Sequence, residues 1–228
     1  MNKKWIVSCY NNDIAWIDNF TSNYIIYDKA GSLPESDRVK HVPNVGLNIY
    51  DYSHFIVENY NSLPDVCVFL KGNIFNRKPE PHCNEERFKV LIENNTLTPL
   101  ESYEHIPVSH VNIKGDDGGY CERSGGYGGG CWGGGKYENG ICVSPPPRYF
   151  TSYNQFLDLM FINPVYPEFM RFAPGANYIV PKQNILFYSR NFYQKLINFV
   201  EYDTHSQEIY IIERALFTIF KNLFRERT

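Results

Sequence analysis

Three short apolar runs, separated by segments of helical periodicity, set the strongest constraint on how this chain folds. Trp5-Ile-Val-Ser-Cys9, Tyr24-Ile-Ile-Tyr27 and Val66-Cys-Val-Phe-Leu70 are almost continuous in apolar side chains. A strand of that kind is covered on both faces, so these runs fit a parallel sheet lying between helices. Between the first two, Asn12 or Asp13 can cap a short helix carrying Ile14, Ile17 and Phe20 at three-residue steps. Tyr52, Phe55, Ile56 and Tyr60 mark one face of a longer helix, which Pro64-Asp65 brings to an end. The β-α-β-α-β order predicts an α/β fold whose mostly parallel central sheet is flanked by helices.

The rest of the chain is uneven. Asn84 can cap a helix with Phe88, Leu91 and Ile92 inward, and Tyr178-Ile-Val180 reads as a strand. Phe192, Leu196, Ile197 and Val200 form a helical stripe, and Ser206 is placed to cap a last helix running toward Arg225. Between these regular parts, 11 of the 16 glycines fall between Gly115 and Gly135. Ordering so many glycines is costly in backbone entropy. Pro145-Pro146-Pro147 then stiffens the exit. Residues 115–147 therefore read as a Gly/Pro-rich loop, a surface insertion or an active-site lid, within a single domain spanning 1–228.

Composition removes several classes of function. The formal net charge is −3, whereas a protein that neutralises a phosphate backbone is expected to be basic, so nucleic acid is not the expected partner. No run of about 18 apolar residues occurs, so no membrane span is expected. Met1-Asn-Lys-Lys-Trp-Ile-Val7 lacks the extended apolar region of a signal peptide, and the expected location is cytoplasmic. Cys9 and Cys67 lie inside apolar runs and read as buried thiols. Cys121, Cys131 and Cys142 are spaced too widely for a zinc knuckle.

In parallel α/β sheets, ligands bind beyond the carboxyl ends of the strands. Here those ends carry Tyr10-Asn11, Asp28 and Lys71-Gly72-Asn73, all polar. Asp28 suits a base or ribose hydroxyl, or simply opens a turn. His82 is the one histidine close to that edge. On the last helix, Ile209, Ile212, Leu216, Phe220 and Leu223 share one face, with Arg214, Thr218, Lys221 and Arg225 opposite. Glu213 falls at the border of the apolar stripe, where partial desolvation suits a carboxylate to general-base work. Asp116-Asp117 offers oxygen ligands for Mn2+ or Mg2+, although a turn is the commoner meaning of Gly-Asp-Asp-Gly-Gly. No metal or other cofactor is otherwise assigned. The glycine-rich run lacks the G-x-x-x-x-G-K-[ST] pattern and is not a phosphate loop.

Several segments, in order, resemble one family. They are Val7-Ser-Cys-Tyr-Asn-Asn-Asp-Ile-Ala-Trp16, Ile26-Tyr-Asp-Lys29, Pro43-Asn-Val-Gly46 and Ile56 through Gly72, with His82 beyond. Ala173-Pro-Gly-Ala-Asn-Tyr-Ile-Val180, Phe192-Tyr193 and Glu213-Arg214 through Ile219-Phe220 follow. The family is domain of unknown function 3431, found in fungi, bacteria and large viruses and itself similar to GT-A-type glycosyltransferases. The resemblance covers most of the chain outside the glycine-rich middle. It departs at Leu47-Asn48, where the family tends to carry Arg-Glu. Leu70-Lys-Gly-Asn73 also stands where a GT-A enzyme usually has an Asp-x-Asp metal motif. Glu213-Arg-Ala-Leu-Phe-Thr-Ile219 is similar to the base-bearing helix of metal-independent branching transferases.

The resemblance implies transfer of a sugar from a nucleotide-sugar donor to a glycan hydroxyl. Tyr10, Asn11, Asp28, Asn44 and Lys71 would hold the donor, His82 and Gly175-Ala176-Asn177 would border the acceptor, and Glu213 would act as base in an inverting, metal-independent reaction. The alternative is a module that binds a nucleotide or carbohydrate without turning it over.

Overall fold

The computed structural model describes residues 1–76, 83–114, 119–122, 136–138, 141–143 and 145–227. In chain order, strands β1 (Lys3–Cys9), β2 (Tyr24–Asp28) and β3 (Val39–His41) precede helix α1 (Leu47–Asn59) and strand β4 (Val66–Lys71). Helix α2 (Glu85–Leu91) leads to strands β5 (Thr98–Pro99), β6 (Glu104–Pro107), β7 (Val111–Lys114) and β8 (Gly119–Glu122). Strands β9 (Lys136–Glu138) and β10 (Ile141–Val143) come before helix α3 (Tyr153–Met160) and strands β11 (Phe169–Phe172) and β12 (Tyr178–Pro181). Helices α4 (Lys182–Ile185), α5 (Arg190–Val200) and α6 (Glu208–Phe220) close the sequence of elements.

Six strands form the central sheet in the order β3-β2-β1-β4-β12-β5. The three expected apolar runs become β1, β2 and β4, which run parallel with β3. β12 instead lies antiparallel between β4 and β5. The sheet is thus mixed, and the expectation of a mostly parallel sheet is corrected to that. Apolar continuity reports that a strand is covered on both faces; it does not report its direction.

Alternation along the strands sorts side chains into two layers. Trp5, Val7, Val66, Val68, Leu70 and Ile179 pack with Ile17 and Phe88 on one face. Ile6, Tyr27, Cys67, Phe69, Tyr178 and Val180 pack on the other, against α1, α5 and α6. On the first face, Trp16 meets Phe75 edge-on at 4.8 Å, and Phe88 meets Trp5 edge-on at 5.5 Å. Both layers rest on one sheet, which makes this a single α/β domain. Cys9 and Cys67 are buried and free, as their apolar settings suggest.

Local expectations fare differently. Asn84 caps α2 through the Arg87 amide at 2.8 Å. The helix expected after Asp13 is only a 3-10 turn, Ala15–Asn19. Ser206 does not cap α6 with its side chain; its hydroxyl donates to the Val200 carbonyl. The solvated face assigned to the last helix is also corrected. Arg214 and Thr218 are buried, whereas Lys221, Leu223 and Arg225 lie beyond the helix end and are exposed. Helix α6 is wrapped by β11, α1, α3 and α5, so polar positions are buried along with apolar ones. Thr218 meets the Tyr153 hydroxyl at 2.8 Å, and Arg214 donates to the Tyr210 carbonyl at 3.1 Å. Strands β8, β9 and β10 also lie within residues 115–147, read as irregular, with β8 paired to β7 just before that segment and β9 to β10.

The entry to α1 depends on one glycine. Gly46 has φ +59°, and a Cβ there would stand 2.6 Å from Val200 Cγ2 and 2.8 Å from Tyr50 Cβ. A side chain would therefore add backbone strain to overpacking. Gly46→Ala is expected to destabilise the protein by about 2–4 kcal/mol. Urea unfolding measures this, and a loss below about 1 kcal/mol would show that the α1–α5 contact yields freely.

Candidate functional site

The strand order turns back between β1, which continues to β2, and β4, which pairs with its other side. Such a switch point leaves a crevice at the carboxyl ends of the strands. Ser8 on β1 and Lys71 on β4 are partners in register there. By alternation both side chains share the face of Ile6 and Phe69, toward α1 and α6.

Helix α6 supplies the group opposite. Glu213 and Phe217, one turn apart, are the two positions of this helix that are not buried. Glu213 Oε2 lies 3.4 Å from Lys71 Nζ, and the two side chains are only 14% and 23% exposed. A sheet tip and the last helix thus meet through an ion pair mostly removed from water. Of the residues expected at a site, Lys71 and Glu213 are brought into direct contact.

Asn177 is the second link. Its Oδ1 accepts from the Lys71 amide at 2.7 Å, and its Nδ2 donates to Glu101 Oε1. Gly175 and Ala176, just before it, have φ of +83° and +61°. A left-handed alanine is strained, and the tight turn it forms delivers Asn177 fully buried to the gap between β4 and β5. Of the four residues expected beside an acceptor, Gly175, Ala176 and Asn177 are buried, and Asn177 is already hydrogen-bonded within the protein. Glu101 follows the carboxyl end of β5 and is 5% exposed. Burial, reinforced by the nearby Glu213 charge, pushes its carboxyl up to about 8, against the opposing pull of Asn177 and Lys71. Glu101 is therefore mostly protonated at neutral pH.

A third cluster lies on the α1 side. Asp51 is fully buried, accepts from the Ser8 hydroxyl and pairs with Lys29 Nζ at 3.0 Å. Desolvation raises its carboxyl to about 6, with Lys29 and Ser8 acting in the other direction. Lys29 also donates to the Val45 carbonyl at 2.6 Å. Asn48, in the first turn of α1, is 2% exposed, and among the described residues its amide makes no hydrogen bond of ordinary geometry.

The other expected residues are placed as follows. Asp28 is buried, its carboxylate accepting from the Ala30 and Leu33 amides at 3.0 and 2.8 Å. It holds the turn after β2. Tyr10 is 54% exposed, and Asn11 adopts φ +53° beside it at the tip of β1. Asn44 is half-buried, and its carbonyl accepts from the Thr204 hydroxyl. His82, Asp116 and Asp117 lie outside the described residues.

Sequence reasoning missed Ser8, Lys29, Asn48, Asp51 and Glu101. Asp51 did carry a signal: it precedes Phe55 by four residues and so shares the buried face of α1. Glu101 carried none, because β5 is two residues long.

With this geometry in hand, the whole-chain comparison decides the family. The model described as "Protein of unknown function (DUF3431)" matches residues 6–228. The chain belongs to the DUF3431 family. No curated protein and no solved structure matches it. In this DUF3431 chain, no described helix is long and apolar enough to cross a membrane. Nor do the described residues form a group of three His, Cys, Asp or Glu suited to a metal ion. The strand-tip groups do not fit a divalent cation: the Lys71 ammonium lies beside Glu213, and Asp51 already meets an ammonium and a hydroxyl.

Glu101 makes stability depend on pH with a defined sign. Its folded pKa lies above the ordinary 4.5, so the folded state holds the proton more tightly. Its contribution is greatest below about pH 4.5 and declines as pH rises through about 8. Glu101→Gln keeps the acceptor for Asn177 and removes this proton. The difference between wild-type and variant unfolding free energies should shift in the variant's favour between pH 5 and 9. A pH-independent difference would mean Glu101 titrates normally.

Proposed function

We propose that this protein transfers a sugar from a nucleotide-sugar donor to a hydroxyl acceptor, with Glu213 as general base. The observation that carries the reading is the Lys71–Glu213 pair at the turning point between β1 and β4. It joins a cation suited to a developing diphosphate charge with a carboxylate suited to taking a hydroxyl proton, in a mostly desolvated setting.

In this reading, the acceptor hydroxyl gives its proton to Glu213 as its oxygen attacks the anomeric carbon. The bond from that carbon to the diphosphate oxygen breaks, and the nucleoside diphosphate leaves with both electrons. Lys71 moves from Glu213 toward the departing charge, which weakens its hold on the carboxylate's proton affinity at the moment the proton is taken. Tyr10 and Asn11, exposed at the tip of β1, supply a ring and an amide for the nucleotide. Glu101 and Asn177 act as positioning residues, because they fix the backbone that carries Lys71. Single displacement inverts the anomeric centre. The GT-A-type character expected from the sequence motifs agrees with the same reading, as does a strand-tip chemistry built on a cation rather than on metal ligands.

The test is hydrolysis and transfer across common sugar nucleotides, with and without manganese. Glu213→Gln should lower kcat about 10²–10⁴-fold while donor affinity stays within twofold. Donor binding without turnover under every condition would instead favour a non-catalytic module. If no nucleotide binds or raises the melting temperature, the proposal fails outright.

A further inference from the structure

Beyond Glu213, helix α6 presents one more accessible side chain, Phe217, one turn further along. Its ring meets Tyr103 edge-on at 5.1 Å. The Arg171 guanidinium lies 3.8 Å from the centre of the Tyr103 ring and 5.2 Å from that of Phe217. Tyr103 and Glu213 both lie within electrostatic reach of Tyr178, which places this group at the same end of the sheet as Glu101 and Lys71. Arg171 comes from β11, which pairs antiparallel with β6 and packs on α6.

The ribbon of β6 and β11 has one buried and one open face. Met170 and Phe172 point inward, while Phe169 and Arg171 point outward, with Phe169 53% exposed. His105 is opposite Arg171 in register and is also exposed. Glu104, beside His105 on β6, shares the parity of Ile106 and pairs in register with Phe172 rather than Arg171. Among the described residues, no carboxylate forms an ion pair with Arg171. Arg171 thus lies among the rings of Tyr103 and Phe217, with Phe169 on the same face of the ribbon and Glu213 one helical turn from Phe217.

An exposed arginine without a carboxylate partner usually samples many rotamers. Here its guanidinium carbon lies over the Tyr103 ring at 3.8 Å and farther from Phe217 at 5.2 Å, which restrains the side chain while its N–H donors remain available to a ligand. Those donors match the two oxygens of a carboxylate or the oxygens of a phosphate. The neighbouring rings match the apolar face of a pyranose. We propose that Arg171, Tyr103 and Phe217, continued by Phe169 and His105, form a subsite for an anionic sugar, one bearing a carboxylate or phosphate group. The proposal rests on the transferase reading for its role: it makes the acceptor an acidic glycan, led along the ribbon to Glu213. Arg171 is then a specificity-determining residue, since a neutral sugar leaves its donors unmatched.

Protein amide chemical shifts, followed during titration with glucuronate, glucose 6-phosphate, glucose and inorganic phosphate, test this directly. At least one anionic sugar should bind tenfold or more tightly than glucose, with shifts centred on Tyr103, Arg171 and Phe217. Whether glucuronate or glucose 6-phosphate binds tells which anion the site takes. Arg171→Met, which keeps the aliphatic stem over the rings, should abolish that preference without changing the melting temperature by more than about 2 °C. Arg171→Lys should restore only part of it. Glucose binding as tightly as the anionic sugars would overturn the proposal, as would an unchanged preference in Arg171→Met or no binding at all. Inorganic phosphate binding as tightly as glucose 6-phosphate would also overturn it, because the rings would then add nothing. The outcome separates from that of the transferase assay. Anionic sugars bound by a protein that turns over no nucleotide sugar leave the subsite standing, whereas transfer indifferent to sugar charge overturns the subsite alone.

Discussion

The interaction between Lys71 and Glu213 joins the strand tips to the last helix, and it follows from strand alternation. Phe69 points toward the helices that cover one face of the sheet, so Lys71, two residues later, must do the same. A one-residue slip in β4 would turn the ammonium to the opposite layer, among Phe88 and Leu70. The cation would then lose its contact with Glu213. Register in one central strand thus decides whether the strand tips and the last helix share chemistry.

Around this pair the protein buries polar groups beyond what a stable core needs. Asp51 and Glu101 are almost fully removed from water, and both carboxyls are raised by that removal. Keeping such groups buried costs stability, whereas apolar side chains of similar size would fill the same space without that cost. Their clustering at the strand tips, where parallel strands leave a crevice, is the pattern expected when electrostatics serve a ligand. The left-handed Ala176 adds local strain at the same end, and Gly46 shapes the entry to α1 nearby.

Much of the scaffold was legible in the chain because burial leaves a periodic trace. β1, β2 and β4 are apolar runs between turn residues, and α5 shows its inward stripe at helical spacing. Asn84 could be placed as a helix cap because its short side chain satisfies a free amide locally, whereas of Asn12 and Asp13 it is Asp13 that accepts from the Ala15 amide, ahead of a 3-10 turn rather than as a helix cap. The direction of β12 had no such trace, since an apolar strand covered on both faces reads alike either way. The same limit explains α6. Its Arg214 and Thr218 follow a polar periodicity, yet neighbouring elements close over them, and their hydrogen bonds run to Tyr210 and Tyr153.

The site divides along the same line. Sequence by itself determined that a polar edge exists at the strand ends, that Lys71 ends a buried strand and that Glu213 borders an apolar stripe. Each of these depends on neighbours within a few residues. Only the tertiary structure decided that Lys71 meets Glu213 across 142 positions, that Asn177 reaches both Lys71 and Glu101, and that Asp28 serves its own turn. Charge pairing and desolvation depend on distance in space, and chain folding sets that distance without leaving a mark in local pattern.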